Sequence, residues 1–569
     1  MSKPFIAAVN VLLIFVAAAV LFAAPVQITI LETSDIHGFI ADWDYFQDRP
    51  YDQGLVKVAT VVQQEREQDP ELLLLDAGDT IQGSPLVYYY NSRKPNEPNP
   101  MAVVMNAMDY DAMTIGNHEY NFGQDVLERF IAVTDFPVMS ANIRNSDGSV
   151  LYPEYHIKDV KGIKVGILAL TTVGIPNWER SDHIAGLRFD DAVTTAKQMI
   201  PRMHSEGAQV IVVLAHSGTH IEPENAWEEG AWSTPVSTWV DKGYAAHDDE
   251  NFVIRLADAI PEIDVILAGH AHARIPAATV NGVLIVEPHA YGRGISKVQL
   301  TVDDAGHVIG KKGEFISMRD VPADPKIQEI STPYHETALQ YIRTSIGTAT
   351  EVFPGGDAAR IQDSPLPDLV NAVQLTMAED AGYKADISLA AVFNNRGELR
   401  PGDITIADIY GIYPYENTLV VMDVTGDILK EALEHDATYW RQIDGQVQVR
   451  TAGDLKSGTV RDYNWDMYSG LDYTIDLSRP AGDRVTKLQF NGRPLADDKK
   501  LRLAINSYRA GGGGGYEMFT RGEIVWHSMS EIRDGLVTFI SQQGELDPAD
   551  YFVRNWQLAP VEVVEQLIK

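Results

Sequence analysis

The residues that end successive apolar runs constrain the fold of this chain more than any other feature. Between Val26 and about Leu300, short β-rich runs alternate with helical stretches, which predicts an α/β domain with helix-covered sheets. Five of the runs end in side chains that carry oxygen or nitrogen ligands: VQITILETS, ELLLLDAGD, AMTIGN, QVIVVLAH and DVILAGH. Because ligands gather beyond the carboxyl ends of strands in such sheets, we expect these side chains to converge on one crevice.

The strand-end residues have the chemistry of a site for two metal ions. The predicted ligands are Asp35, His37, Asp79, Asn117, His216, His270 and His272. Asp35 and His37 are two positions apart, so in an extended segment both side chains face one ion, and Asp79 is the candidate for a carboxylate that two ions share. Imidazole with carboxylate suits Mn, Zn, Fe, Co or Ni, and Mg is a further candidate; the sequence does not choose among them.

Taken singly, each of these residues is more simply explained as a turn former or a solvated loop residue. Five strand ends that all carry such residues are hard to attribute to chance. Two ions a few Å apart can clamp a phosphoryl oxygen and convert a bridging water to hydroxide. His118, beside Asn117, is then expected to contact the phosphoryl group or to protonate the leaving oxygen.

The charge balance limits the ligands that the chain can bind. Its 569 residues include 80 acidic and 46 basic side chains, for a formal net charge of -34. Nonspecific binding to a nucleic-acid polymer needs clustered Lys and Arg, so that partner is disfavoured. A site for a phosphorylated ligand must instead be made locally positive, which metal ions do most simply. The sequence has no cysteine, so it offers no thiolate ligand.

Residues 1–24 predict export to the periplasm or to the outside of the cell. Lys3 precedes an apolar run from Phe5 to about Ala24, which resembles a secretory signal peptide. Leu21 and Phe22 interrupt the small residues near the expected cleavage point, so an uncleaved membrane anchor is the alternative. No other stretch approaches the roughly 18 apolar residues of a spanning helix. We assume a monomer.

The length of the chain predicts two domains, because one hydrophobic core rarely serves so many residues. We place an α/β domain at 25–320, a linker helix at 321–347 whose second half has helical spacing, and an α+β domain at 348–569. The last mixes helical patterns such as LPDLVNAVQLTMAEDAG with strand patterns such as NTLVVMDVT and KLRLAINS.

The order of the motifs Asp-x-His, Gly-Asp, Gly-Asn-His-Glu, His and Gly-His-x-His resembles the calcineurin-like metallophosphoesterases. More narrowly, the chain resembles the exported nucleotidases, which include 5′-nucleotidase/UDP-sugar hydrolase and 2′,3′-cyclic-nucleotide 2′-phosphodiesterase/3′-nucleotidase. The resemblance covers essentially the whole chain after the N-terminal segment. It implies a four-layer α/β/β/α metal domain, a linker helix and a nucleotide-binding C-terminal domain.

The resemblance also implies how the ligands and the catalytic residues are arranged. One metal would be bound by Asp35, His37, Asp79 and His272, and the other by Asp79, Asn117, His216 and His270. His118 matches the catalytic histidine of the family. In 5′-nucleotidases an Asp orients this histidine, whereas the segment GNHEYN places Asn121 there. An amide accepts a hydrogen bond from imidazole but does not stabilise imidazolium as a carboxylate does, and Asn is typical of the cyclic-phosphodiesterase/3′-nucleotidase branch.

In the C-terminal domain of the family, two aromatic rings hold the base. The matching positions are Tyr415, in YPYENTL, and Tyr516, after the glycine run. Stacking of a base on an aromatic ring contributes roughly 1–3 kcal/mol. Further polar contacts to the substrate are expected from Arg360, Asn395, Arg400, Asn417 and Arg509. No Lys-Ser or Lys-Thr pair follows the glycines, so they indicate close approach of backbone to ligand and not a P-loop.

These features together predict hydrolysis of 2′,3′-cyclic nucleotides and 3′-nucleotides to nucleoside and phosphate. The alternative is 5′-nucleotidase/UDP-sugar hydrolase, with the same metals and a different substrate pose. A catalytically silent binding protein of this fold would have lost ligands, and none is missing here. A serine hydrolase is disfavoured because no Gly-x-Ser-x-Gly motif is present.

Overall fold

The computed structural model describes residues 24–177, 179–241, 250–443, 446–448, 460 and 462–567. The predicted signal segment 1–24 therefore lies, apart from Ala24, outside the described residues. Within the described part of the chain, none of the helices has the length and apolar character needed to cross a bilayer.

Two six-stranded sheets form the centre of the N-terminal half. In the first sheet the strands lie in the order Val308–Ser317, Gly294–Val302, Val26–Thr33, Leu73–Asp76, Ala112–Thr114 and Val138–Met139. In the second sheet the order is Arg274–Val280, Val283–Pro288, Val265–Ala268, Val210–His216, Ile163–Thr171 and Tyr155–Val160. The last four strands of the first sheet run parallel, and so do the second to fifth strands of the second sheet. The strands predicted from the apolar runs are confirmed.

Alternation along the strands explains why the two sheets stack face to face. In the first sheet, Leu73 and Leu75 enter an apolar layer that both sheets share, whereas Leu74 packs in the cluster on the other face. In the second sheet, Val212 enters the shared layer and Val213 packs on the opposite face. Since successive side chains of a strand point to opposite faces, each sheet has one face for its partner sheet and one for helices.

Helices cover the two outer faces. Residues of the helices Leu55–Gln68, Pro100–Ala107 and Gln124–Val133 belong to the cluster outside the first sheet. Residues of Ala192–Ser205 and Val253–Ala259 belong to the cluster outside the second sheet. The predicted α/β fold class, with its α/β/β/α layers, is confirmed.

A single helix, Pro325–Ile342, leads from the N-terminal half to the C-terminal half. Asp324 caps it by accepting a hydrogen bond from the Ile327 backbone N–H, and the proline in its first turn lacks only an N–H that would have no partner. The helix begins earlier than the apolar spacing predicted, because this cap sets its start. The following strand, Ser345–Ala349, pairs with strands of the C-terminal half. The domain boundaries at 321 and 347 stay predictions.

The C-terminal half is built on a five-stranded sheet with the order Asp466–Ser469, Ile387–Ala391, Lys500–Asn506, Thr418–Thr425 and Glu523–Glu531. A four-stranded sheet contains Arg493–Pro494, Val485–Phe490, Asp472–Asp476 and Trp556–Ala559, and a three-stranded sheet contains Gly402–Thr405, Ser345–Ala349 and Glu545–Leu546. Its helices include Gly356–Ile361, Pro365–Asp380, Ile406–Ile412, Gly426–Ala437, Ser507–Ala510, Ile532–Gln543, Pro548–Tyr551 and Val561–Leu567. This is the α+β composition that the sequence predicted.

The two halves meet around a buried arginine. Arg533 is 1% exposed and donates hydrogen bonds to Glu416 at 2.9 Å and to Glu531 at 3.0 Å. Its guanidinium carbon lies 4.0 Å from the ring centroid of Tyr410 and 4.9 Å from that of Tyr88, which belongs to the N-terminal half. The buried cation therefore has two acidic side chains as partners, without which its charge would be unpaired.

Candidate metal centre and active site

The carboxyl ends of the parallel strands bring all seven predicted metal ligands into one crevice. Two groups of three have ligand atoms that all lie within 4.8 Å of one another: Asp35, His37 and His272, and Asp79, His216 and His270. The remaining residue, Asn117, joins the second group, because its Oδ1 lies 3.0 Å from His216 Nε2 and 2.8 Å from His270 Nδ1.

Asp79 lies between the two groups. Its Oδ2 is 3.1 Å from His216 Nε2 and 4.0 Å from His37 Nε2. The side chain is almost completely buried, so its charge acts on these groups with little screening by water. This is the position that a carboxylate shared by two ions would occupy.

Left-handed backbone conformations direct most of the seven candidate ligands into the crevice. Five of the seven have positive φ: Asp35 at 52°, His37 at 50°, Asp79 at 60°, His270 at 73° and His272 at 54°. Asp35 and His37 were expected to share one face of an extended segment; their side chains do meet, but the chain turns at both residues, so the extended backbone was wrong. Such conformations cost of order 1–3 kcal/mol each for residues other than glycine and persist mainly at functional sites.

Two main-chain carbonyls determine which nitrogen the histidines offer. His37 Nδ1 lies 3.0 Å from Gln82 O, and His216 Nδ1 lies 2.7 Å from Ala77 O. A carbonyl only accepts hydrogen bonds, so each Nδ1 donates and leaves Nε2 as the nitrogen that faces the crevice. A metal ligand needs this arrangement, in which Nε2 can bind once any proton on it has left. The Gln82 side chain also donates to Glu416, so both halves of the chain hold this loop.

The ionisable groups in the crevice shift one another's pKa values. Burial lowers the pKa of His37 to about 4, and the neighbouring His272 acts in the same direction. Burial opposes ionisation of Asp35, but the hydrogen bond and charge of His272 outweigh it and lower the pKa of Asp35 to about 2. Burial also opposes protonation of His216, but Asp79 outweighs it and raises the pKa of His216 to about 10.

The donor set fits two divalent cations. His37 Nε2 carries a lone pair and lies 3.0 Å from His272 Nε2, a contact that requires a proton or a cation. The Asp79–His216 pair likewise holds a proton that a cation would replace. Four imidazoles, two carboxylates and one amide suit first-row divalent metals and do not select one of them.

His118 lies at the rim of the crevice, next to Asp79. Its backbone N–H donates to Asp79 Oδ1 at 2.8 Å, and its Nε2 lies 4.0 Å from Asp79 Oδ2. Its Nδ1 lies 2.5 Å from Asn121 Oδ1. Burial opposes protonation of His118, but the charge of Asp79 and the bond to Asn121 outweigh it and raise the pKa of His118. One nitrogen is thus fixed by a neighbour while the other faces the ligands.

Three carboxylates that hydrogen-bond to residues of the site were not identified from the sequence. Glu119, although it lies inside the GNHE motif, accepts hydrogen bonds from the backbone of Gly116, Asp79 and Thr80 and closes the loops around them. Glu250 Oε1 lies 3.1 Å from His270 Nε2, and Glu179 Oε2 accepts from Asn121 at 2.7 Å. Glu250 and Glu179 stand far from their partners in the sequence and in no motif, so no local signal indicated them.

The predicted base-stacking residues differ in burial. Tyr415 is 40% exposed, and its ring centroid lies 5.0 Å from that of Phe393. Tyr516 is 0% exposed and its hydroxyl donates to Asp436, so in this arrangement its ring is part of the core and not open to a base. Tyr508, from the same glycine-rich segment, is only half-buried. Burial raises the pKa of Tyr415, and the nearby tyrosines, Tyr508 among them, act in the same direction.

Two of the predicted substrate-binding arginines are occupied within the fold. Arg509 is 0% exposed and donates to both oxygens of Asp466, at 2.8 and 3.3 Å. Arg360 is 1% exposed and donates to Asp357 at 2.6 Å and to the main chain of Val392. Their cationic heads are therefore committed to protein partners.

The other predicted polar contacts lie nearer to solvent. Asn395 is exposed and donates to Asp462 at 3.0 Å, and the side chain of Arg400 is 81% exposed and pairs with Glu398 at 2.8 Å. Asn417 is half-buried, two residues from Tyr415. Their roles toward a substrate stay predictions.

Comparison with known proteins gives the same architecture. Residues 28–274 match the family model "Calcineurin-like phosphoesterase", and residues 345–521 match "5′-nucleotidase, C-terminal domain". The chain is 31% identical, over 95% of its length, to the trifunctional nucleotide phosphoesterase protein YfkN of Bacillus subtilis, and it spans 39% of the length of that protein. It is 29% identical to the 2′,3′-cyclic-nucleotide 2′-phosphodiesterase/3′-nucleotidase of Salmonella typhimurium, over 97% of this chain and 91% of the relative.

A solved structure agrees with the fold. A Staphylococcus aureus protein assigned as a 5′-nucleotidase, in complex with α-ketoglutarate, is 26% identical with a TM-score of 0.81, over 94% of this chain and 100% of that one. The stacked sheets, the clustered ligands and the two matched regions lead to one assignment. The chain belongs to the calcineurin-like phosphoesterases, hydrolases that act on phosphoric ester bonds, and carries a 5′-nucleotidase C-terminal domain.

Proposed function

We propose that this protein hydrolyses 2′,3′-cyclic nucleotides and 3′-nucleotides to nucleoside and phosphate with the help of two divalent cations. The observation that carries the proposal is the crevice that brings together Asp79 and six other donors, with His118 beside Asp79. The relatives named for these activities match over almost the whole chain, which supports the nucleotide as substrate.

The ligands divide between two cation sites. Asp35, His37, Asp79 and His272 would hold one cation, and Asp79, Asn117, His216 and His270 the other. When bound, the pair supplies Lewis acidity to the phosphoryl oxygens and an activated water as nucleophile near neutral pH. Against a net charge of -34, this local positive charge is also what attracts a phosphate to the crevice.

His118 would act on the substrate through Nε2. Asn121 occupies Nδ1, so Nε2 is the nitrogen left to face a phosphoryl group in the crevice. From there it can hold a phosphoryl oxygen or give a proton to the leaving oxygen of the ribose. The raised pKa favours the protonated form that both roles need.

Rates of hydrolysis of four substrates distinguish the two nucleotidase branches. We expect kcat/KM for 2′,3′-cyclic AMP and 3′-AMP to exceed that for 5′-AMP and UDP-glucose by at least ~10-fold, about 1.4 kcal/mol in transition-state binding. The measurement is steady-state hydrolysis with each candidate metal added in turn. A tenfold preference for 5′-AMP would establish the alternative branch, and no turnover of any nucleotide would indicate a silent binding protein.

Tyr415 and Tyr508 would hold the base between them. Tyr415 is exposed and Tyr508 is only half-buried, which supports this pair, whereas the buried Tyr516 would support the loop behind them. We expect Tyr508→Ala to raise KM for 3′-AMP by ~10-fold and to leave KM for p-nitrophenyl phosphate unchanged, because the lost stacking is worth roughly 1–3 kcal/mol and only the nucleotide has a base. Equal effects on both substrates would contradict the assignment.

Export is proposed from residues 1–24. Cell fractionation and sequencing of the mature N-terminus would distinguish a cleaved signal from an anchor. The products, nucleoside and phosphate, would then be released outside the cytoplasm. A monomer is proposed as the working state, and light scattering of the purified protein tests it.

A further inference from the structure

A chain of hydrogen bonds runs from His118 away from the ligands. His118 Nδ1 lies 2.5 Å from Asn121 Oδ1, and Asn121 Nδ2 donates to Glu179 Oε2 at 2.7 Å. The Glu179 side chain is only 6% exposed. The histidine therefore reaches a buried carboxyl group through one intervening amide.

The far end of this chain is held firmly. Glu179 Oε1 accepts hydrogen bonds from the backbone N–H of Arg180 at 2.9 Å and from His183 Nδ1 at 2.8 Å. These contacts leave Oε2 directed at Asn121. A carboxylate oxygen can only accept, so it requires the NH2 side of the amide and rejects the oxygen side.

The orientation of the Asn121 amide determines that Nδ1 of the His118 imidazole is the nitrogen that donates to it. With its NH2 group on Glu179, Asn121 presents Oδ1 to His118, and this oxygen can only accept. His118 must then carry a hydrogen on Nδ1, and in its protonated form a second one on Nε2. If the amide turned over, its NH2 group would face Nδ1, favour the opposite tautomer and place two oxygens against each other at Glu179.

We propose that Glu179 is a positioning residue for His118 that acts through Asn121. It fixes the amide, and the amide fixes the ring tautomer and the direction of Nε2. The inference deepens the proposed function, on which it rests for the role of His118. It also gives a physical reason for asparagine at position 121, because an aspartate there would set two carboxyl groups against each other at hydrogen-bond distance.

The pair can be exchanged to test the idea. The variants are Glu179→Ala, Asn121→Asp and the double variant Asn121→Asp/Glu179→Gln. In the double variant the amide and the carboxylate change places, so the carboxylate now at position 121 still accepts from His118 Nδ1, and the amide now at position 179 donates to that carboxylate. Glu206→Ala is the matched control, because its exposed carboxylate accepts one hydrogen bond, from Tyr155 at 2.7 Å, on another part of the surface.

We expect Glu179→Ala and Asn121→Asp each to lower kcat roughly 10- to 100-fold with KM within about 3-fold, as for other residues that orient a catalytic or ligand side chain. The double variant should recover to within about 5-fold of wild type, and the control should match wild type. Metal content and thermal unfolding are measured for each variant. A purely structural role for Glu179 predicts lost stability or metal without recovery in the double variant.

Full activity of Glu179→Ala or Asn121→Asp would overturn the proposal, and so would a double variant no more active than Asn121→Asp. All kinetics are run on 3′-AMP and on bis(p-nitrophenyl) phosphate. If only the aryl ester is hydrolysed, the nucleotide assignment fails and the test of Glu179 continues. If neither is hydrolysed, crystal structures of wild type and Asn121→Asp decide it: the proposal requires the two carboxyl groups to separate and the His118 ring to turn, and unchanged positions would refute it.

Discussion

Replacing Asp79 with alanine should lower kcat/KM by at least roughly 1,000-fold, about 4 kcal/mol of transition-state stabilisation. The carboxylate is almost completely buried and lies 3.1 Å from His216 Nε2 and 4.0 Å from His37 Nε2, so its loss breaks both proposed ligand sets. It would also leave His216 without the partner that stabilises its charge. The measurement combines steady-state kinetics with elemental analysis of the purified variant.

The matched control is Asp498→Ala, which removes an exposed carboxylate. It should leave both activity and metal content at the wild-type level. Chelation of wild type should reproduce the loss of activity, and added Mn, Zn, Co, Fe, Mg or Ni should restore it to different extents, which identifies the effective metal. An Asp79→Ala protein with two bound metals and normal turnover would rule out the shared carboxylate.

Replacing Arg533 with methionine should destabilise the junction of the two halves by about 3–5 kcal/mol, the usual cost of removing one partner of a buried ion pair. Glu416 and Glu531 would lose their buried hydrogen-bonding cation, while methionine keeps most of the apolar packing on Tyr410 and Tyr88. Urea unfolding and hydrogen exchange of the helix Ile532–Gln543 would measure the effect.

The loss should shrink as the pH falls. Burial raises the pKa of Glu531 to about 8 even though Arg533 opposes the shift. A carboxyl group whose folded pKa exceeds its unfolded value favours the folded state at low pH, because protonation removes the unpaired charge. The Arg533→Met defect should therefore be smaller at pH 6 than at pH 9.

Arg502→Met is the control for this variant. Arg502 pairs with Asp423 at 3.0 Å, but their side chains are 35% and 39% exposed. Water screens such a pair, so its removal should cost less than about 1 kcal/mol. Equal losses in the two variants would mean that burial of the Arg533 cluster contributes nothing.

The fold and the convergence of the candidate metal ligands could be predicted because both follow from local patterns. Apolar runs such as LLLLD specify strands, and the parallel arrangement carries their ends to one edge, so Asp79 and His216 meet although 137 residues separate them. Because candidate ligands recur at five strand ends, their convergence could be predicted without knowing any three-dimensional contact. What the pattern did not contain was the turn at Asp35 and His37, since Asp and His are only enriched in left-handed backbone and do not specify it.

The substrate-binding residues were harder to predict, because whether a side chain is available to a ligand depends on its burial. Tyr508 and Tyr516 flank the same glycine run, and only packing shows that one is half-buried and the other has no exposed surface. Arg509 likewise has a side chain of the kind that binds phosphate, but its guanidinium pairs with Asp466. Glu179 could not be found from Asn121, because 58 residues and several elements separate them.

The orientation of His37 and His216 by the main chain has a consequence for how this protein can evolve. The oxygens of Gln82 and Ala77 that hold the two rings belong to the peptide backbone, which is present whatever side chain occupies those positions. Drift at positions 77 and 82 can therefore alter the surroundings of the rings without releasing them. The hydrogen bonds of Asn121 and Glu179 are made by side chains, so a substitution at either position breaks them unless the other position changes as well.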